Sequence, residues 1–170
     1  MLFVYECTGN IIAEFKKFYD TQLSEEQKKR IFVPTYDCMK KYQGSWHIEQ
    51  KPAFRNSFLI ECRDRDDLAD MLHRLQCADI LAENITANAI ALLPEQEVFL
   101  RNLMMPETKK ISMSTGYIKD GRTYVTKGPL QGREKMISRI DRHKRLAKLR
   151  FAAGNTDREL CAGLEIISKS

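Results

Sequence analysis

The stretch Val125-Thr126-Lys127-Gly128-Pro129-Leu130-Gln131-Gly132-Arg133-Glu134 continues to Ile137-Ser138-Arg139-Ile140-Asp141-Arg142-His143-Lys144-Arg145-Leu146-Ala147. It reads as short strands alternating with turns. Gly128 and Gly132 permit positive φ at a tight turn, and Pro129 fixes φ between them. Breaks fall at Asp120-Gly121, Gly128-Pro129, Asp141-Arg142-His143 and Gly154-Asn155. They separate strand-like runs at Arg122–Thr126, Glu134–Ile140, Arg145–Phe151, Leu160–Cys161 and Leu164–Ile167. Short strands at this density over residues 114–170 predict a small β-barrel, near the lower size limit for independent folding.

Charge is concentrated in the same region. Residues 114–170 carry 13 Lys+Arg and 6 Asp+Glu, a balance of +7, and residues 1–113 hold the remaining 15 basic and 17 acidic residues, a balance of −2. A basic third on a near-neutral body suits an anionic polymer, most often nucleic acid; the alternative is a solvated basic face. The basic cluster sits at the turn Arg139 to Arg145, with Lys148 and Arg150 beyond. Strand alternation puts Arg145, Ala147 and Leu149 on one face and Lys144, Leu146, Lys148 and Arg150 on the other. Such a turn presents several donors to phosphates, and Arg also reads a base edge bidentately. The competing reading is a loop that only protects a sheet edge.

The N-terminal two thirds reads as alternating strands and helices. Leu2 to Cys7 is a strand ending at Thr8-Gly9-Asn10, after which Ile11, Ile12, Phe15, Phe18 and Tyr19 recur at helical spacing. Ser24 and Gln27 form a capping-box pattern. Arg30–Tyr36 reads as a strand containing Pro34, Lys40–Trp46 as a basic exposed hairpin tip, and Trp46–Lys51 as the returning strand. Phe54–Cys62 is a further strand, followed by a helix opening at Asp64-Arg65-Asp66-Asp67 with Leu68, Met71, Leu72 and Leu75 inward. Pro94 opens a third helix carrying Val98, Leu100, Leu103 and Met104. Residues 105–113 read as a linker between a unit at 1–104 and the barrel at 114–170.

Composition narrows the function classes. A hydrophobic fraction of 43% with 30% charged residues is ordinary for a folded domain. No apolar run approaches the ~20 residues a membrane span needs. Met1–Glu6 lacks the basic and long apolar segments of a secretory signal. Five cysteines with no Cys-x-x-Cys pair predict neither a disulfide framework nor a zinc ribbon, and so a cytoplasmic protein. His47, His73 and His143 fall in separate segments, and Cys62, His73 and Cys77 make an irregular metal set at best. There is no phosphate-binding Gly-rich loop, Gly-x-Ser-x-Gly or His-Glu-x-x-His. The expectation is therefore no enzyme, no cofactor and no metal. A nucleophile at Cys62 or Cys77 is the enzymatic alternative, and it requires a lowered thiol pKa.

The quoted C-terminal stretch, closed by Gly163-Leu164-Glu165-Ile166-Ile167, resembles the KOW domain of NusG-type transcription factors. Its Gly-Pro-Leu and Arg-His-Lys-Arg turn resemble the specialised LoaP-like branch more than housekeeping NusG. The first half resembles the NusG N-terminal (NGN) domain in order and spacing. A strand runs into Gly9 and a helix, Pro34 lies mid-strand, Gly44-x-Trp46 follows, Lys51-Pro52-x-Phe54 starts a strand, and Leu93 to Leu100 forms a late helix. The likeness covers nearly the whole chain. One departure stands out: Phe54-Arg55-Asn56-Ser57-Phe58-Leu59 occupies the place of the family's Phe-Pro-Gly/Asn-Tyr-x-Phe.

The resemblance implies an α+β fold, an NGN-like antiparallel sheet flanked by helices plus an SH3-like KOW barrel. It implies a monomeric transcription elongation and antitermination factor. Its partners would be the β′ clamp helices of RNA polymerase and an RNA hairpin in the nascent leader transcript of long operons. Tyr5, Phe54, Ser57 and Leu59 match the polymerase-docking surface, where Ser57 lacks the family's aromatic contact. RNA contact centres on Arg142, His143, Lys144 and Arg145, with Lys127, Arg133, Lys135, Arg139 and Lys148 around them. Lys28, Lys29, Lys40, Lys41 and Lys51 are candidates for DNA or nascent RNA at the upstream fork, or are solvent-facing. The alternative is a KOW-type RNA- or ribosome-binding module without polymerase activity.

Overall fold

The structure, a computed structural model, describes residues 1–170 and is mixed α+β. Strand β1 (Leu2–Glu6) leads into helix α1 (Ile11–Gln22), which turns Phe15 and Phe18 inward. Helix α2 (Glu25–Lys28) begins with the expected capping box: Gln27 N–H donates to Ser24 Oγ at 3.3 Å, and Ser24 N–H to Gln27 Oε1 at 2.7 Å. The strand expected over Arg30–Tyr36 is split around Val33-Pro34 into β2 (Ile31–Phe32) and β3 (Thr35–Tyr42). Proline has no N–H for a ladder, so the break falls there. Strand β3 returns as β4 (Ser45–Pro52) through a two-residue turn with φ of 51° at Gln43 and 78° at Gly44. Two consecutive positive φ values match the twist of a tight hairpin.

Strand β5 (Ser57–Glu61) is shorter than the run expected from Phe54. Helix α3 (Arg65–Arg74) starts where Asp64 accepts the Asp67 N–H at 2.8 Å. A helix the sequence did not announce follows, α4 (Asp79–Asn88), which buries only Leu81 and Ile85. Then come β6 (Ile90–Ala91) and α5 (Pro94–Leu103), with Pro94 in the first turn as expected. The 105–113 segment contains a short strand, β7 (Lys110–Ile111), paired in parallel with β3.

The C-terminal region holds β8 (Ser114–Lys119), β9 (Arg122–Lys127), β10 (Ile137–Asp141), β11 (Leu146–Ala153) and β12 (Thr156–Lys169). The run expected as one strand from Glu134 begins instead with a single 3-10 turn at Glu134–Met136. The two short runs expected at Leu160–Cys161 and Leu164–Ile167 are one continuous strand, β12. The pairing order is β10-β11-β12-β8-β9, with β12 parallel to β8. The small barrel expected over 114–170 is present as a five-stranded sheet whose edge strands β9 and β10 do not pair with each other. One side chain spans that gap, and another ties the intervening loop back to β8. Val125 N–H donates to Glu134 Oε1 at 3.0 Å, and Leu130, fully buried, donates its N–H to Ser114 Oγ at 3.1 Å.

A four-stranded sheet, β2-β5-β1-β6, separates two cores. Alternation along β1 sends Phe3 and Tyr5 toward α1, α3 and α4, and Leu2 and Val4 to the other side. The second core is shared. Leu2, Val4, Phe54, Leu59 and Leu100 form one buried cluster with Leu149, Phe151, Leu160 and Leu164 from the C-terminal sheet. Polar ties reinforce it. Cys161 N–H donates to Ala53 O at 2.9 Å, and the Gln96 amide both donates to and accepts from the Gly154 backbone at 3.0 Å. Arg158 pairs with Glu6. At Gly163 the backbone passes so close to the Asp37 carbonyl that a Cβ would collide with it.

Candidate nucleic-acid interface

The turn between β10 and β11 is held by its own backbone. Asp141 Oδ1 accepts the Lys144 N–H at 3.0 Å, and Arg145 N–H donates to Arg142 O at 3.3 Å. The Lys144 backbone N–H above all holds the Asp141 carboxyl below its ordinary range, so it stays anionic as an anchor. Arg145 adopts a φ of 50°. The turn so held leaves Arg142, His143 and Lys144 exposed together. A turn whose backbone is already held loses little backbone freedom on meeting phosphates.

Arg145 is oriented differently. Its guanidinium carbon lies 3.6 Å from the centre of the Trp46 ring, and its Nε is 3.3 Å from Glu165 Oε1. It is a strut between the C-terminal sheet and the β3–β4 hairpin. Lys148 is half-buried and paired with Glu159 at 2.6 Å. Arg139, Lys144 and Lys148 nevertheless line one shallow depression of about 130 Å³, with Asp141 and Leu146. Lys127 and Lys135 are exposed. Arg133 is committed to its own loop, donating to Pro129 O at 3.0 Å and Gln131 O at 3.3 Å.

Joining the hairpin tip to this surface is a feature the sequence reading did not find. It had Lys40–Trp46 as an exposed basic tip, but not its neighbour. Trp46 is 44% exposed, with Lys41 Nζ at 6.0 Å from the ring centre as well as Arg145. On the opposite hairpin face Tyr42 stacks on His47 at 3.8 Å and 13°. Of the other lysines considered, Lys28 and Lys29 pair with Glu25 and Glu26, and Lys40 lies 3.6 Å from Glu49.

The four residues matched to polymerase docking fall in two places. Phe54 and Leu59 lie in the shared core, with the Phe54 ring 5.5 Å from Phe151. Ser57 is buried and donates to Arg55 O at 2.9 Å. Tyr5 faces the opposite core and donates to Asn84 Oδ1 at 2.8 Å; burial pushes its hydroxyl up to about 12. All four are covered in this conformation.

Burial pushes the thiols of Cys62 and Cys77 up to about 11, so both are protonated at neutral pH. No group of three or more His, Cys, Asp and Glu comes close enough to hold a metal ion. A cleft of about 680 Å³ lies between the β4–β5 loop and the start of β12, and its lining mixes the cations Lys51, Arg55 and Arg158 with the acids Glu6, Asp157 and Glu159. No helix is long and apolar enough to cross a membrane. A scan against models of known protein families and a search of curated proteins both found no match.

Proposed function

We propose that the chain is a NusG-type transcription elongation and antitermination factor, recruited through its basic C-terminal sheet by a structured leader RNA. The observation that carries this reading is the backbone-held turn that exposes Arg142, His143 and Lys144 together, on the part of the chain with a +7 balance. The ordered likeness to an NGN domain followed by a KOW domain supplies the biological setting. Binding here is electrostatic and salt-sensitive, because each neutralised phosphate releases counterions. Preference goes to loops, bulges and hairpins, since side chains do not read the deep major groove of duplex RNA.

Polymerase docking through Phe54 and Leu59 requires the C-terminal sheet to leave that face, because both side chains are buried in the shared core. The factor then acts by differential binding: polymerase captures the open form and is itself held in a pause-resistant state. The same burial favours a second reading, an RNA- or ribosome-binding module without polymerase activity. Two measurements separate them. Tagged full-length protein is recovered from its host lysate and tested for polymerase against ribosomal subunits. Transcription through an intrinsic terminator downstream of structured leader RNAs is then followed with and without the protein. The proposal expects polymerase to be retained and readthrough to rise. Ribosomal subunits alone, with unchanged readthrough, would overturn it.

A further inference from the structure

The geometry points to a nucleobase-stacking site at Trp46, where an unpaired base of the bound RNA lies on the indole while its phosphates meet Arg142 and Lys144. This deepens the RNA-binding reading and rests on it. The register Lys41↔Trp46 and Met39↔Ile48 puts Trp46 and Ile48 on one face of the hairpin, and both are left exposed, at 44% and 62%. Apolar surface kept in water beside a charged patch marks a contact site.

The chemistry around the ring selects the occupant. Arg145 stacks at 3.6 Å on the same indole and Lys41 lies 6.0 Å from its centre. The ring therefore sits among cations that attract a polyanion. Arg145 is also the last residue of the turn that displays Arg142 and Lys144. A phosphate site and an aromatic platform are thus fixed to each other through one side chain. Single-stranded nucleic acids are bound by this combination of cationic groove and stacking ring. Arg145 Nη1 is in addition buried with no hydrogen-bond partner, which leaves a donor unsatisfied beside the ring.

Trp46 is the one tryptophan in the chain, so its emission reports this site alone. Two labelled probes of equal length are titrated against the full chain, an RNA hairpin with an unpaired loop and a blunt RNA duplex. Label anisotropy reports binding and tryptophan emission reports stacking. The hairpin is expected to bind and to quench Trp46, and the duplex to bind with little quenching. W46A should weaken hairpin binding about 10- to 100-fold and leave the duplex unchanged, while W46F, which keeps a stacking ring, recovers most of the loss. Hairpin binding with unchanged emission overturns the stacking site but keeps the RNA reading, and leaves the ring to a protein partner. Equal losses for hairpin and duplex in W46A also overturn it, since the ring then only positions Arg145. Binding of neither probe overturns both readings.

Discussion

Replacing Phe151 by alanine tests whether the two halves of the chain form one cooperative unit. Phe151 is 2% exposed and belongs to β11, yet its ring meets Phe54 at 5.5 Å and Phe99 at 6.1 Å, both from the N-terminal part. Truncating a phenylalanine in a packed core costs about 3–5 kcal/mol, combining lost transfer energy with the cavity left behind. For a chain of this size each kcal/mol lowers the melting temperature by about 2–4 °C, so the expected fall is roughly 10 °C. Scanning calorimetry is the assay, with Leu68→Ala as the companion variant. Leu68 is fully buried in the other core, on the inner face of α3. If the shared core couples the halves, the native protein melts in one transition, and both variants lower that same transition. Two transitions, with Phe151→Ala moving one and Leu68→Ala the other, would refute the coupling.

The double change Arg142→Ala and Lys144→Ala should leave the fold intact, because Asp141 anchors the turn through the Lys144 backbone N–H. A salt titration of labelled hairpin RNA should show its log–log slope shallower by about 1.5, at roughly 0.7–0.9 for each lost phosphate contact; an unchanged slope places the RNA elsewhere. Acid should destabilise the protein through four carboxylates. Arg63 hydrogen bonds hold Asp67 below its usual range and the Lys144 N–H does so for Asp141; burial pushes Glu97 and Glu134 up, but hydrogen bonds outweigh it and leave them low. Groups depressed in the folded state contribute in full above their ordinary values, and the contribution is lost as pH falls through the folded ones. Melting temperature should therefore be flat down to roughly pH 5 and drop below it, less steeply in Asp67→Asn, as thermal scans across pH would show. At neutral pH Cys62 and Cys77 should react with iodoacetamide far more slowly in the native protein than in urea, counted by mass spectrometry; rapid native labelling would restore a nucleophile.

Much of the local structure was legible because its causes are local. The Ser24–Gln27 box, the Asp64 cap and Pro94 in a first turn all act within a few residues. Helix α4 was missed because its period is weak: Leu81 and Ile85 face inward while Ile80 is 78% exposed. Strand β12 read as two because Ala162-Gly163 interrupts the large apolar residues, and the reason for that small residue is the Asp37 carbonyl, distant in sequence. Barrel closure depends on whether β9 meets β10, which no local pattern encodes. At the site, Arg142, His143 and Lys144 were legible as a charged turn. Arg145 was not separable from them, because its stacking partner Trp46 lies in the other half of the chain. Tyr5 and Phe54 looked equally suited to docking or to a core, and long-range packing decides their burial, Tyr5 against the helices and Phe54 against the C-terminal sheet.

The segment 105–113 is nine residues long, two of them tied to β3 as β7. Even fully extended it spans only about 30 Å. If the C-terminal sheet leaves the face carrying Phe54 and Leu59, so short a leash returns it at an effective concentration of about millimolar, which no dilution of the protein lowers. Any partner for the face carrying Phe54 and Leu59 thus competes with a local population of one. Its apparent affinity is its intrinsic affinity scaled by the open fraction, so at about 1% open a 1 nM partner acts as a 100 nM one. Selectivity follows from that discount: only a partner that is itself concentrated or held nearby competes on equal terms.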